Sequence, residues 1–299
     1  MAVNTSAPPL PDTLTPHPVV ANIEFAEGPA FDDAGNLYFV NYLETGTLGR
    51  MTPDGSVEVW VHTGGQVNGL KYDGKGHLVA ADHGALRVTR FDTRTRRMEV
   101  LADGCEGAPF IGPNDVCMDL AGNVYMSDSG KDEAASNGAV YRIDMDSENR
   151  PAAVRRLDNG LPFPNGLAVH PDQKRFYLST SGTNSIVAYD MAPDGSLSVK
   201  RVIHAFPDAT VDGIQFDEHG RLWAARWLHG TVDVVDSESG QLLASYPMGG
   251  DRVTNLCWRG ASLYVTVAGR NSIERLDVGV CGADIVPRWR GPGRQPSAA

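Results

Sequence analysis

The chain has 299 residues, 41% of them hydrophobic, with 33 glycines, 19 prolines and a formal net charge of −11. That acidity excludes nucleic acid and anionic membrane surfaces as partners, since both require a basic face. No window sustains a helical period or a long apolar stretch; glycine and proline instead punctuate many short apolar runs, the composition of an all-β chain.

Residues 1–16, rich in Pro, Thr and Ala, lack the basic start and apolar core of a secretory signal. They are expected to form a flexible N-terminal segment, and residence in the cytoplasm is the default. From Glu27 onward a unit recurs six times. In each, a polar side chain heads a short apolar run, a turn follows, and a second apolar run returns. The six polar residues are Glu27, Asn68, Asn114, Asn165, Asp212 and Asn255. The second runs begin at Leu37, Leu78, Val124, Phe176, Leu222 and Leu263, in steps of 41, 46, 52, 46 and 41 residues. The polar residue lies ten positions before its anchor in four units, eleven in the fourth and eight in the sixth. A period of about 40 to 50 residues with several short strands per unit marks a β-propeller. The expectation is therefore an all-β, six-bladed β-propeller over residues 17–286, with a flexible tail over 287–299.

The fifth unit shows the local logic. Asp212 to Phe216 alternates like a strand, Asp217 to Gly220 turns the chain, and Leu222 to Ala225 returns antiparallel. Residues four and five past each anchor should then stand beside the polar ring: Asn41 and Tyr42, Asp82 and His83, Asp128 and Ser129, Thr180 and Ser181, Arg226 and Trp227, Val267 and Ala268. The sixth unit has a strand at Ile273 to Leu276 but no fourth strand after it. A propeller has to close to protect its edges, so Val19-Val20 is expected to pair with that strand.

The four cysteines, Cys105, Cys117, Cys257 and Cys281, form no close C-x-x-C pair and read as reduced residues. No serine-hydrolase elbow, zincin motif, Walker loop or dinucleotide fingerprint is present. The chemistry is carried by the ring. Glu27, Asn114, Asn165 and Asp212 offer only oxygen ligands if each Asn presents its carbonyl, and hard oxygen donors select calcium, magnesium or manganese. Calcium is the first choice because its long, flexible coordination tolerates ligands from distant blades. Asn68 and Asn255 share the ring position and serve either the channel's own hydrogen bonding or the substrate.

Glu27-Gly28-Pro29, Pro113-Asn114-Asp115, Pro164-Asn165-Gly166-Leu167 and Asp212-Gly213 ahead of Gly220-Arg221-Leu222-Trp223 form an ordered set. It resembles the senescence-marker-protein, gluconolactonase and luciferin-regenerating-enzyme family, over roughly residues 20 to 280. The resemblance implies one divalent cation in the central channel, held by Glu27, Asn114, Asn165 and Asp212, with zinc, manganese or magnesium as alternatives to calcium. It also implies a metal-dependent hydrolase of a small molecule, opening a sugar lactone or related cyclic ester, with Asp212 as catalytic base or nucleophile and Asp115 contacting substrate hydroxyls. Repeat position adds Asn68, His83, Arg226 and Trp227 as substrate-binding candidates. The alternatives are an organophosphate hydrolase of the same fold and a non-catalytic calcium-binding regulatory propeller. One departure stands out: sugar-lactonase members often carry Arg two residues before the third-unit Asn, where this chain has Gly112.

Overall fold

The computed structural model describes residues 7–41, 46–132 and 135–283. Tyr42, the first six residues and the tail from 284 lie outside the described residues. Six four-stranded antiparallel sheets form six blades, five of them with each strand paired to the next in sequence and the sixth completed by the N-terminal strand. Blade one, for example, runs Ala26–Phe31, Leu37–Asn41, Thr47–Met51 and Val57–His62 from channel to rim. The remaining inner strands are Val67–Tyr72, Pro113–Met118, Pro164–Val169, Val211–Phe216 and Val253–Arg259. Inner strands are covered on both faces by neighbouring blades, so in blades three, four and five every inner-strand residue is buried. Rim strands face water on one side, and Val57–His62 is correspondingly mostly exposed. Among the described residues the only helical elements are two single 3₁₀ turns, Ser181–Thr183 and Ala268–Arg270. Among the described residues no helix is long and apolar enough to cross a membrane.

The core lies between blades rather than at one centre. Trp60 sits edge-on to Tyr38 and Phe91, with ring centroids 5.0 and 6.4 Å away, and so joins blades one and two. Trp223 stacks on Tyr246 and meets Trp258 edge-on, joining blades five and six. Such rings combine large apolar burial with a geometric preference that fixes the blade angle. All four cysteines are free thiols.

Closure follows the expected route. His17–Ala21 pairs antiparallel with Ser272–Asp277, Val20 opposite Ile273, and supplies the missing fourth strand of blade six. The segment ahead of it is not free over its described part. Arg221 Nη1 donates to the Pro8 carbonyl at 2.9 Å, Tyr246 Oη donates to the Pro11 carbonyl at 2.7 Å, and Leu10 and Leu14 pack on the core between blades five and six. A proline-rich extended backbone leaves its carbonyls unpaired by secondary structure, and Arg221 and Tyr246 use two of them.

A turn carboxylate, five residues past the ring position and buried in three blades, shapes the turn in four of them. Asp32, Asp73, Asp119 and Asp217 each accept the backbone N–H four residues on and a side-chain hydrogen from the same residue. Asp32, Asp119 and Asp217 also accept from the aromatic six residues on, Tyr38, Tyr125 and Trp223. These turns fix how far each inner strand protrudes, and hence where its polar residue stands.

Candidate functional site

Every inner strand is interrupted at the same place. The ladder to the second strand skips between Glu27 and Ala30, Val67 and Leu70, Pro113 and Val116, Pro164 and Leu167, Val211 and Ile214, and Val253 and Leu256. A β-bulge releases residues from pairing and bends the strand, a way of re-aiming side chains at a site. Aligned on the bulges, the first layer is Glu27, Asn68, Asn114, Asn165, Asp212 and Thr254. The next layer is Gly28, Gly69, Asp115, Gly166, Gly213 and Asn255. Asn255 therefore does not share the ring position, which Thr254 occupies. The cause is turn length. Five residues separate the paired Tyr72 and Leu78, but only four separate Trp258 from Leu263, so the ring position sits nine rather than ten before the anchor, at Thr254, and Asn255 at eight falls in the next layer.

The four glycines of the second layer make room for its two polar residues. A Cβ at Gly69 would stand 2.1 Å from Asp115 Oδ1, and one at Gly213 would stand 2.4 Å from Asn255 Oδ1. Within that space Asn255 Nδ2 donates to Asp115 Oδ2 at 3.3 Å, Val116 N donates to Asp115 Oδ1 at 2.8 Å, and Lys71 Nζ donates to Asn255 Oδ1 at 3.3 Å. Lys71 rises from the opposite mouth of the channel, where a cavity of about 110 Å³ is lined by Cys117, Gln215 and Cys257 among others.

Glu27, Asn68, Asn114, Asn165 and Asp212 converge on the floor of another cavity, of about 210 Å³, with Phe25, Phe163 and Trp227 as aromatic walls and Ser181 and Thr210 beside them. Gly28 N donates to Glu27 Oε2 at 2.6 Å, and Asn165 Nδ2 donates to Ser181 Oγ at 3.3 Å. Burial, and then the Asp115 carboxylate, push Glu27 up to about 8. Burial first, then Glu27 and Asp115, hold Asp212 well above the usual carboxylate range, against hydrogen bonds from Asn165 and Gly213. Asp115 is raised by burial, with Lys71 opposing. Carboxylates kept this dry and this close call for a positive charge among them.

The donor set fits a hard divalent cation on a further observation: Asn165 Oδ1 is buried without a hydrogen-bond partner, an acceptor left open beside Asp212. Among the described residues no group of three or more His, Cys, Asp or Glu side chains is arranged to hold a metal. The candidate set has two carboxylates and relies on carboxamide oxygens for the rest.

The other expected residues are placed as follows. Asn68 and Trp227 line the cavity, as does Ser181. Asp115 lies one layer below, 1% exposed, on Asn255 rather than at the cavity surface. His83 is half-buried and is not among the lining residues. Arg226 is 2% exposed and lies behind the wall rather than in it. It donates to Asp233 Oδ2 at 2.6 Å, Asp208 Oδ1 at 2.8 Å and the Ala209 carbonyl at 3.0 Å, and its guanidinium lies 3.6 Å over the Phe206 ring. It thereby holds the segment that leads into Thr210 and Asp212. Asp82 and Asp128, at the equivalent position, likewise accept backbone N–H groups of the preceding loop, from Gln66 and from Ile111 and Gly112. This position organises loops; it does not form the cavity wall.

Sequence reasoning missed Phe25, Phe163 and Thr210. Each stands two residues before a ring residue, the same slot as Gly112, and that recurrence was the available signal. Phe25 and Phe163 hold positive φ of 52° and 50°, an uncommon conformation for bulky residues and a form of strain that clusters at functional sites.

Fold and site together define a propeller with an oxygen-donor ring at one channel mouth. Residues 25–269 match the model of the SMP-30/gluconolactonase/LRE-like region, and the chain belongs to that family. A gluconolactonase of Zymomonas mobilis is 26% identical over 293 residues, 86% of this chain and 80% of that protein. A pentonolactonase of Haloferax volcanii is 30% identical over 264 residues, 84% of each. The solved structure of a calcium-binding protein, regucalcin, from Agrobacterium tumefaciens superposes with a TM-score of 0.79 at 21% identity, covering 93% of this chain and 98% of that one.

Proposed function

We propose that this protein is a divalent-cation-dependent hydrolase that opens a lactone to its hydroxy acid. The observation that carries the reading is the convergence of Glu27, Asn114, Asn165 and Asp212, with Asn68 beside them, on one cavity floor. The two family relatives named above as lactonases support it. Glu27, Asn114, Asn165 and Asp212 would hold the cation, calcium by the hardness of the donors. When bound, it supplies Lewis-acid polarisation of the lactone carbonyl.

The chain's own residues do the rest. Asp212 takes the proton of the attacking water at its carboxylate. Its carboxylate stands on the cavity floor among the proposed ligands, within reach of a water held there. The water oxygen bonds to the acyl carbon, the ring C–O bond breaks, and the proton passes to the departing ring oxygen. Asn165 stays oriented because its Nδ2 is bonded to Ser181, whose Oγ in turn donates to the Val211 carbonyl at 2.8 Å. The aromatic walls exclude bulk water from the mouth.

The test is hydrolysis of a panel of lactones by EDTA-stripped protein, titrated back with calcium. Activity that returns with one equivalent supports the reading. Calcium binding without turnover of any lactone would transfer the protein to the regulatory class.

A further inference from the structure

We propose that the substrate is an apolar lactone, carrying an alkyl or aryl substituent, rather than a polyhydroxylated sugar lactone; this rests on the lactone-hydrolase reading. The cavity presents two unlike surfaces. Its floor is polar, but four of the five floor residues are the proposed cation ligands, so their oxygens are committed. Its walls are Phe25, Phe163 and Trp227, with the rings of Phe25 and Trp227 5.6 Å apart. A lactone's ester group belongs on the floor. Everything else the ring carries must then face aromatic carbon.

Recognition of a sugar lactone needs several hydrogen-bonding partners, because each buried hydroxyl left unpaired is costly. The polar residues that remain are three, Asn68, Ser181 and Thr210, against the several hydroxyls a sugar lactone carries. Ser181 has already given its hydroxyl hydrogen to the Val211 carbonyl. Among the described residues no Lys, Arg or His lines the cavity. Arg226, the nearest cation in sequence to the wall, is engaged by Asp233, Asp208 and the Ala209 carbonyl. The slot two residues before Asn114 cannot supply one either. A Cβ at Gly112 would stand 2.4 Å from the Gly130 carbonyl oxygen, so any side chain there requires the loop to move.

Leu228, next to Trp227, and Ile111, next to Gly112, are 61% and 39% exposed on loops at this end of the propeller. Isolated exposed apolar residues are ordinary, and these two add only that the loops beside Trp227 and Gly112 carry no charge at those positions. The volume of about 210 Å³ exceeds the roughly 150 Å³ that accommodates a benzene ring.

The experiment uses calcium-loaded, full-length protein. It compares kcat/KM across γ-butyrolactone, its 4-methyl to 4-pentyl derivatives, dihydrocoumarin and glucono-1,5-lactone. The proposal expects kcat/KM to rise about fourfold per added methylene over the first few carbons. The gluconolactone should fall at least tenfold below the best alkyl or aryl lactone. Phe163→Ala should flatten the chain-length dependence. If that variant fails to fold, the wild-type series still decides. A flat series, or gluconolactone as the best substrate, overturns this inference and leaves the lactonase reading intact. No turnover of any lactone, sugar or apolar, overturns both.

Discussion

Asn255 and Asp115, 140 residues apart in the chain, meet beneath the ring, where the amide Nδ2 donates to the carboxylate Oδ2 at 3.3 Å. The other end of the amide is held by Lys71. Counting charges along the channel gives three carboxylates, Glu27, Asp115 and Asp212, against one ammonium. The remainder is two negative charges, which a divalent cation cancels.

That balance predicts a change of metal preference in Lys71→Met. Without the ammonium the channel carries three uncompensated negative charges, and a trivalent ion becomes the better match. The ratio of terbium to calcium affinity should rise on the order of tenfold, as expected for one charge acting over a few residues at a moderate effective dielectric. Terbium luminescence with calcium competition measures it. An unchanged ratio would mean that Asp115 picks up a proton when Lys71 is lost, and the charge account would be wrong.

The second layer gives a steric prediction. A Cβ at Gly69 would meet Asp115 at 2.1 Å from Oδ1 and 2.5 Å from Cα, and the Cα cannot give way as a flexible side chain could. Gly69→Ala should therefore lower stability by about 1–3 kcal/mol, the usual cost of overpacking, and weaken calcium binding by displacing Asp115. Gly55→Ala is the contrast. A Cβ there meets nothing within 4 Å, and only its positive φ of 87° opposes the change, so calcium affinity should stay at the wild-type value. Thermal melts and calcium titrations of both variants check the pair.

The blades were legible because each repeats one pattern of polar head, apolar run and turn, and the closing strand because blade six visibly lacked a partner for Ile273. The ring was legible wherever the turn keeps its common length. Asn255 was displaced by one because the blade-six turn is a residue shorter, and a one-residue slip moves a side chain to another layer. The wall was the hardest part to read. A polar residue at the end of a second strand serves loop anchoring as well as it serves a substrate. Asp82, Asp128 and Arg226 took the first role through hydrogen bonds to segments that sequence does not place nearby. Phe25 and Phe163 sit in irregular backbone ahead of the inner strands, where only their shared offset of two residues from the ring marks them.

Metal removal should reverse the pH dependence of stability contributed by Glu27. In metal-free protein its folded pKa is about 8, against 4.5 for the ordinary group, with burial the first cause and Asp115 the second. A carboxylate raised on folding contributes stability that is fully present below the unfolded pKa and lost as pH rises through the folded one. EDTA-treated protein should therefore lose stability between about pH 4.5 and pH 8. Calcium competes with that proton, so the gain in melting temperature on adding calcium should grow across the same window. Differential scanning fluorimetry at several pH values, with and without calcium, reads both trends. A calcium effect independent of pH would separate the cation from Glu27.

The last prediction distinguishes Asp212 from its neighbours on the floor. Asp212→Asn keeps an oxygen of similar reach but removes the group assigned to the water's proton. Folding should survive, because replacing a buried carboxylate that Glu27 and Asp115 already repel relieves charge rather than adding it. Calcium binding should weaken through loss of one negative ligand. At saturating calcium, kcat should fall by about 10²- to 10⁴-fold, the range for loss of general-base help. Asn68→Asp changes the charge of the same floor in the opposite direction without touching a proposed ligand. It should strengthen calcium binding and leave kcat within about tenfold of wild type. Steady-state kinetics on the best lactone, run beside calcium titrations, separates the two effects. A kcat for Asp212→Asn within a few-fold of wild type at saturating calcium would remove Asp212 from the chemistry while leaving it as a ligand.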